Sequence, residues 1–315
     1  MRLYPLAVLV LILIASCQSA APTQQPQQNY RSGTQGVQLQ FLPNLPPARL
    51  YDDQEFDITV RVANVGATDV GFANDRIYLS GFDHRLLPGI PFTGQPIPPT
   101  EGKNAFNLQG TFDYATFQAT VLPLKDRDLP SYRFTLMGTA CYGYETIGSG
   151  EACIDTDPFS TTVKQKVCPV GSITFVGSQG APVAISSVQV EPSPKKTRFT
   201  ITIANVGGGE VFREGATYLN KCSPYDPQGL RFDEIDYVAL EEVRISDLIE
   251  ITQTCKPRDQ DGRHIKLING QATIHCEVDH AALGLQGSFV TPLVVRLRYG
   301  YRNVMQTPVE ILSSP

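Results

Sequence analysis

A short phrase that occurs twice in this chain restricts the fold to one built from β-strands. The copies are ITVRVANVG at 58–66 and FTITIANVG at 199–207, about 140 residues apart. In both copies apolar and polar residues alternate and β-branched residues dominate, which predicts a strand with one buried face. The Asn and Gly near the end of each copy tolerate positive φ and predict a turn after the strand.

A second pair of matching segments lies towards the end of each copy. Tyr142-Gly143-Tyr144 and Tyr299-Gly300-Tyr301 each follow an apolar-rich strand. Because both pairs occur in the same order, they predict a duplicated domain whose second copy is the longer one. The tyrosines are either an aromatic binding surface or structural residues whose hydroxyls close a sandwich corner. Their recurrence at the same place favours the structural role.

The rest of the pattern predicts an all-β fold. The chain has 26 Gly and 24 Pro and no long stretch of helical periodicity, and its apolar segments have the length of strands. We predict two tandem Ig-like β-sandwich domains after a signal peptide and a flexible tether, at 37–166 and 167–315.

Two hairpins are predicted inside these domains. The segment CYGYETIGSGEAC is expected to turn near Gly148. The segment RHIKLINGQATIHC carries Asn269-Gly270, a two-residue turn signal between alternating strands. The register of this second hairpin places His264 opposite His275.

The N-terminus is typical of an exported lipoprotein. Residues 1–16 combine Arg2 with an apolar stretch too short to span a bilayer, which takes about 20 residues, so they predict a lipoprotein signal peptide. Small residues precede Cys17 and resemble the lipobox of prokaryotic lipoproteins, in which the cysteine is lipidated. Residues 17–36 then provide the lipidated cysteine and a flexible linker rich in Gln and Pro.

A lipid on Cys17 would hold the protein on a membrane. The predicted location is therefore extracytoplasmic and membrane-anchored, at the cell surface or the periplasmic face. Ordinary secretion with an incidental Cys17, or an uncleaved anchor, are the alternatives.

Charge and motif content exclude several classes of function. A net charge of −5 does not favour a phosphate backbone, so we predict no nucleic-acid partner. The sequence contains no phosphate-binding loop, no serine nucleophile elbow and no zinc-protease motif. We therefore predict no cofactor and no catalytic residues.

The other six cysteines predict three disulfides, because an even number in an exported chain indicates pairing. They are Cys141, Cys153, Cys168, Cys222, Cys255 and Cys276. The hairpin near Gly148 predicts a bond between Cys141 and Cys153. The other four leave three possible pairings, of which Cys255–Cys276 is favoured, with Cys168–Cys222 as the remainder.

The motif from Val60 to Gly66, repeated from Ile201 to Gly207, resembles the strand and turn of the CARDB group of Ig-like domains. Such domains occur in surface and secreted proteins of bacteria and archaea and are associated with adhesion. The resemblance implies an Ig-like fold and a binding role, and it offers no catalytic residues. The cysteines are not part of that pattern, which indicates a distinct lipoprotein subfamily.

One candidate metal site follows from the predicted register. His264 and His275 would face each other across the hairpin, with Glu277 on the same face as His275. Two imidazoles and a carboxylate are ligands suited to a transition metal. A solvated polar face is the alternative and is favoured.

The Pro-rich segment 85–99 has no counterpart in the second copy. Its prolines exclude a central strand, yet it carries large apolar side chains. Such a loop either packs on its own domain or offers a patch to a partner. The partner-binding candidates in it are Leu86, Leu87, Ile90, Phe92 and Ile97.

Together these patterns predict a non-catalytic, membrane-anchored cell-surface lipoprotein with a binding or structural role in adhesion or envelope assembly. Its predicted partners are the membrane, through the lipid, and an envelope or surface protein or a glycan. Two alternatives stay open. One is an accessory subunit of an envelope secretion or transport complex, and the other is a metal-dependent enzyme acting on envelope polymers.

Overall fold

The computed structural model describes residues 30–72, 74–160, 166–173, 175, 178–284 and 287–314. The predicted signal peptide, Cys17 and the linker up to residue 29 lie outside the described residues. The end of the linker is held against the protein, because the Val65 N–H donates to the Gly36 carbonyl at 2.9 Å. No helix in the described ranges has the length and apolar character needed to cross a membrane.

The structure confirms the all-β prediction. The described residues form sixteen strands, two short 3₁₀ helices and two short α-helices, α1 (Ala216–Lys221) and α2 (His280–Leu283). The strands before residue 160 are β1 (Val37–Phe41), β2 (Arg49–Tyr51), β3 (Gln54–Asn64), β4 (Arg76–Ser80), β5 (Gln95–Pro96), β6 (Phe112–Val121) and β7 (Ser131–Asp155). The later strands are β8 (Ser172–Ile173), β9 (Val183–Pro192), β10 (Lys196–Asn205), β11 (Glu210–Phe212), β12 (Tyr237–Ile245), β13 (Ile249–Glu250), β14 (His264–Lys266), β15 (Gln271–Asp279) and β16 (Ser288–Leu312).

These strands form three sheets. A three-stranded sheet, β1-β3-β6, comes from the first half of the chain, and a four-stranded sheet, β15-β10-β9-β8, comes from the second. The nine-stranded central sheet has the main order β13-β12-β16-β7-β4-β5, and β2, β11 and β14 pair beside it. Both smaller sheets contact β7, and most of the buried apolar residues of the two halves form one continuous core.

Two long strands, β7 and β16, join the halves. They pair in antiparallel fashion along all 25 residues of each strand. The register places Gly143 opposite Gly300, Tyr142 opposite Tyr301 and Tyr144 opposite Tyr299. The two Tyr-Gly-Tyr segments therefore lie side by side at the middle of β7 and β16, and an approximate twofold axis passes between the two glycines.

Each long strand also contacts the other half of the chain: one end of β7 packs on the four-stranded sheet, and one end of β16 pairs with a strand of the first half. A Cβ on Gly148 of β7 would lie 2.6 Å from Ile185, and one on Gly150 would lie 2.7 Å from Ile173, so this part of β7 packs tightly on the four-stranded sheet. In the opposite direction, the end of β16 pairs with β2 in parallel, with Ile311 beside Leu50.

The hairpin predicted near Gly148 is wrong. β7 continues through Gly148 and Gly150 without a turn. Both glycines allow the close approach of another sheet, which is a second use of Gly in a strand that composition does not distinguish from a turn.

The turn at Asn269-Gly270 is confirmed, but the pairing predicted beside it is wrong. Both residues have positive φ, at 52° and 76°, and Ile268 bridges to Gln271 across them. The two strands then separate, because β14 pairs with β12 in the central sheet and β15 pairs with β10 in the four-stranded sheet. The segment is a corner between two layers, so His264 does not face His275.

Three disulfides form, and only one of the favoured pairs is right. Cys255–Cys276 is confirmed. The predicted Cys141–Cys153 and Cys168–Cys222 bonds are wrong, because Cys141 bonds Cys222 and Cys153 bonds Cys168. Cys141 and Cys153 lie on one extended strand, twelve residues and therefore about 40 Å apart, which no disulfide spans.

The shared strands lead to a testable expectation about folding. Expressed separately, residues 30–160 and 166–315 should each lack a cooperative thermal transition, because each lacks a strand that its core requires. Refolded together under oxidising conditions, they should form a 1:1 complex with the far-UV circular dichroism of the intact chain. A cooperative transition in either fragment alone would contradict this expectation.

Candidate functional site

The Tyr-Gly-Tyr segments have a structural role. The Tyr144 hydroxyl donates to the Gly180 carbonyl (3.0 Å) and accepts from the Thr68 N–H (3.3 Å), and burial raises its pKa to about 12. Its counterpart Tyr301 donates to Asn205 Oδ1 (3.2 Å) and accepts from the Gly209 N–H (2.7 Å). These hydroxyls hold the two Asn-Val-Gly turns, which is a structural role and not that of an aromatic binding surface.

An asparagine at the same position of the repeat holds each of these turns. Asn64 Nδ2 donates to the Thr68 carbonyl (2.8 Å), and Asn205 Nδ2 donates to the Gly209 carbonyl (2.9 Å). The hydrogen bonds of the first copy are thus repeated in the second. The repeated phrase is explained by the fold and does not itself mark a functional site.

The predicted partner-binding segment 85–99 is mainly core. Leu86, Leu87, Ile90 and Ile97 are buried, and only Phe92 is exposed, at 57%. The Phe92 ring stacks on His84, with 4.0 Å between the ring centroids. The packing alternative therefore describes four of the five candidates, whose side chains are not accessible to a partner.

The same segment also covers the edge of β6. The Thr120 N–H donates to the Pro88 carbonyl (3.2 Å), the Leu122 N–H donates to the Leu86 carbonyl (2.9 Å), and Gln95 Nε2 donates to the Thr116 carbonyl (2.9 Å). An edge strand covered in this way is protected from pairing with another chain.

The predicted metal ligands His264, His275 and Glu277 are not brought together. His275 Nδ1 bonds the Thr200 hydroxyl (3.0 Å), and Glu277 pairs with Arg198 (2.9 Å) and with Lys196. His264 lies on the other sheet. No group of three or more metal-ligating side chains occurs among the residues that the structure describes.

His264 is instead held between two carboxylates. Its Nε2 lies 2.6 Å from Glu214 and its Nδ1 lies 2.5 Å from Asp261. Burial opposes the charged imidazolium, but the hydrogen bonds and charges of Glu214 and Asp261 outweigh it and raise the pKa of His264. Burial also opposes the charge of Asp261, yet the N–H groups of His264 and Arg263 lower the pKa of that carboxyl.

This ion cluster fixes one end of the loop between Cys255 and β14. Arg213 pairs with Asp261 (2.7 Å) and with Asp259, and its guanidinium lies 4.0 Å from the ring centroid of Tyr237. Arg213 and Glu214 belong to the long connection between β11 and β12. The cluster therefore joins that connection to the loop.

The connection between β11 and β12, residues 213–236, also reaches the first half of the chain. Its Cys222 bonds Cys141 of β7, and its Tyr225 hydroxyl donates to the Leu79 carbonyl of β4 (2.5 Å). It packs over a small buried cluster that includes Tyr78 and Phe212. This segment therefore links the two halves by a disulfide and a hydrogen bond.

The loop from Cys255 to β14 borders two neighbouring depressions of the surface. One depression, of about 400 Å³, lies between Pro257, Ile265, Ile268 and the strand β15. A second, of about 660 Å³, lies on the other side of Pro257 and reaches His275. Arg258 lines both depressions, and we refer to the pair as the Arg258 groove.

Arg258 carries a charge that no carboxylate of the described residues neutralises. Its Nε donates to the Cys255 carbonyl (3.1 Å) and its Nη1 to the Gly262 carbonyl (2.5 Å). Its Nη2 is buried and has no hydrogen-bond partner within the described residues. Burial lowers the pKa of the guanidinium, which still keeps its charge at neutral pH.

Other cations surround this groove. Lys256 lines one depression and Lys266 lines the other. The neighbouring Asp259 is already paired with Arg213. The Arg258 groove is therefore a basic concave site on an acidic protein, suited to an anionic ligand.

Sequence reasoning missed the groove although a signal was present. The segment CKPRDQDGRHIK, residues 255–266, contains four of the chain's 26 Lys and Arg residues. The sequence did not show which of these four cations keep an unpaired charge. That depends on a distant segment, from which Arg213 pairs with Asp261 of the loop and Glu214 pairs with Arg263.

No family model matches the chain, and no curated protein matches it. Among solved structures, the chain is similar to the secreted serine protease VesC from Vibrio cholerae, at 9% identity and a TM-score of 0.21, over 86% of this chain and 51% of that one. The chain spans about half the length of that protease, and a likeness at this level carries no argument. The resemblance to CARDB domains rests on the repeated motif and stays a hypothesis.

The His264 cluster generates an expectation about pH. Because the pKa of His264 is raised, its charge stabilises the fold fully below about pH 6.5, and this contribution is lost as the pH rises through the higher value. His264→Gln should lower the free energy of unfolding by roughly 2 kcal/mol at pH 6 and by clearly less at pH 9.

Urea titrations at the two pH values provide the measurement. His275→Gln is the matched control, because this exposed histidine bonds only the Thr200 hydroxyl among the described side chains. It should change the free energy of unfolding by less than about 0.5 kcal/mol at either pH. An effect of His264→Gln that is as large at pH 9 as at pH 6 would rule out the charged clamp.

Proposed function

We propose that this protein is a non-catalytic, membrane-anchored protein of the cell surface or envelope that binds an acidic partner protein through the Arg258 groove. The observation that carries the proposal is the half-buried Arg258, whose Nη2 is buried without a hydrogen-bond partner and whose charge has no carboxylate partner among the described residues, at a concave surface. A desolvated charge of this kind favours the binding of a complementary charge.

The cellular location supports this role. Three disulfides are formed, which is the condition of a protein in an oxidising, extracytoplasmic compartment. The anchor itself is proposed from residues 1–17, where the apolar stretch and the small residues before Cys17 have the lipoprotein pattern. The Gln- and Pro-rich residues 18–29 are proposed from the sequence as the tether, and as a coil they would span roughly 20 Å between the lipid and the described residues.

The frame around the groove supports a binding or structural role in adhesion or envelope assembly. The halves share one sheet, a disulfide joins β7 to the connection between β11 and β12, and segment 85–99 covers the edge of β6. A rigid support of this kind lowers the entropic cost of binding, because fewer groups have to be ordered when a partner binds. The metal-dependent enzyme of the alternative hypothesis would need a site other than His264, His275 and Glu277.

Chemical cross-linking on intact cells, quantified by mass spectrometry, tests the proposal. The variant Lys256→Glu with Arg258→Gln should lower the yield of the main cross-linked protein at least tenfold, because the groove loses the positive charges of Lys256 and Arg258 and gains a negative one. Lys125→Glu, an exposed site in the first half, is the control that changes one lysine to an acid elsewhere.

The control should cross-link as well as the unchanged chain at an equal amount in the membrane fraction. Lys256→Glu alone, at an exposed residue, should give a reduced yield without loss of thermal stability, which separates charge from folding. Equal cross-linking by the groove variants and the control would contradict the proposal. One partner in fixed stoichiometry would identify a subunit of an envelope complex.

A further inference from the structure

The outer face of the three-stranded sheet carries two aromatic rings that the Arg258 groove does not involve. Phe112 is 51% exposed and Tyr114 is 45% exposed. They lie two residues apart on β6 and therefore on the same face, with 5.8 Å between their ring centroids. The guanidinium of Arg61, on the neighbouring strand β3, lies 4.2 Å from the centroid of the Phe112 ring. Arg61, Phe112 and Tyr114 are called the aromatic platform below.

The second copy of the repeat shows that the fold does not require these residues. Arg61 in the first copy pairs with Tyr114, whereas the matching Thr202 pairs with Thr273. One pair further along, Ala63 faces Phe112 in the first copy, and Ala204 faces Gln271 in the second. The same sheet face is thus polar in one half and aromatic in the other.

Arg61 has no ion pair among the described residues, although acids occur on the same strand. Asp57 points to the same face of β3 but lies four residues away, which is about 13 Å along the strand. Exposed polar side chains lie closer, because Gln40 is directly opposite Arg61 and Thr116 follows Tyr114 on the same face. The platform therefore offers two exposed rings, a cation, an amide and a hydroxyl on one surface.

We propose that the aromatic platform binds the uronic-acid residues of an acidic polysaccharide. The exposed rings are suited to contact the C–H faces of a sugar ring. The guanidinium of Arg61 matches the carboxylate of a uronic acid, with which arginine forms paired hydrogen bonds. Gln40 and Thr116 supply partners for sugar hydroxyls. The net charge of −5 opposes non-specific adsorption of a polyanion, so binding depends on this local site.

The absence of tryptophan from the sequence allows a direct test. In the chain from residue 17 onward, with Cys17→Ser to prevent lipidation, Tyr114→Trp places a single indole on the platform. A galacturonic acid hexamer should change its fluorescence in a saturable way, with a dissociation constant on the order of 10⁻⁴ M. The neutral maltohexaose should bind at least tenfold more weakly.

Two further substitutions assign the binding to named residues. Arg61→Gln in the same background should lower the affinity for the uronate hexamer at least tenfold, because the carboxylate loses its partner. Phe159→Ala, which removes a ring that is 74% exposed outside the platform, should leave the affinity unchanged. Calorimetric titration of the chain with its natural Tyr114 provides a second measurement that does not depend on the introduced indole.

Several results would overturn the proposal. These are the absence of saturable binding by both methods up to about 10 mM uronate hexamer, an equal affinity for maltohexaose or for a glutamate hexamer, and an unchanged affinity in a folded Arg61→Gln chain. Tighter binding of the glutamate hexamer would assign the platform to an acidic peptide instead. Lys256→Glu should have no effect in this assay, so the result is independent of the Arg258 groove.

Discussion

The pairing of β7 with β16 is the interaction on which the rest of the structure depends. It places Gly143 opposite Gly300 at the centre of one sheet, and it carries residues of each half into the layer that packs on the other. The buried tyrosines on either side of these glycines hold the two Asn-Val-Gly turns, one in each copy. The two copies of the repeat therefore share one central sheet, and each long strand contributes to the packing of both halves.

Because the copies share this frame, the differences between them indicate where function lies. The second copy has the long connection at 213–236 and the loop that bears Arg258, and the ion pairs of Arg213 and His264 join these two segments. The first copy has the aromatic platform, at positions where the second has threonine and glutamine. The frame needs neither feature, and both present charge that the described residues do not neutralise.

The sequence was sufficient for what depends on local periodicity. It predicted the all-β fold, the duplication, the Asn269-Gly270 turn and the Cys255–Cys276 bond. The sequence-based prediction failed where the same local pattern is compatible with two different structural roles of a residue. Gly148 has the neighbours of a turn residue but permits close packing of a sheet, and this error produced the wrong partner for Cys141. The groove was missed because the acids of its loop pair with Arg213 and the neighbouring Arg263 pairs with Glu214, both from a distant part of the chain.

Native-state hydrogen exchange tests the central claim most directly, because it reports the free energy of opening of each segment of the intact chain. If β7 and β16 form one sheet across both halves, the amides of the ten residues after Tyr144 and of the ten after Tyr301 should open together with the same, largest free energy. Two separate opening free energies, each common to one half of the sequence, would show that the halves are independent domains and would contradict the account.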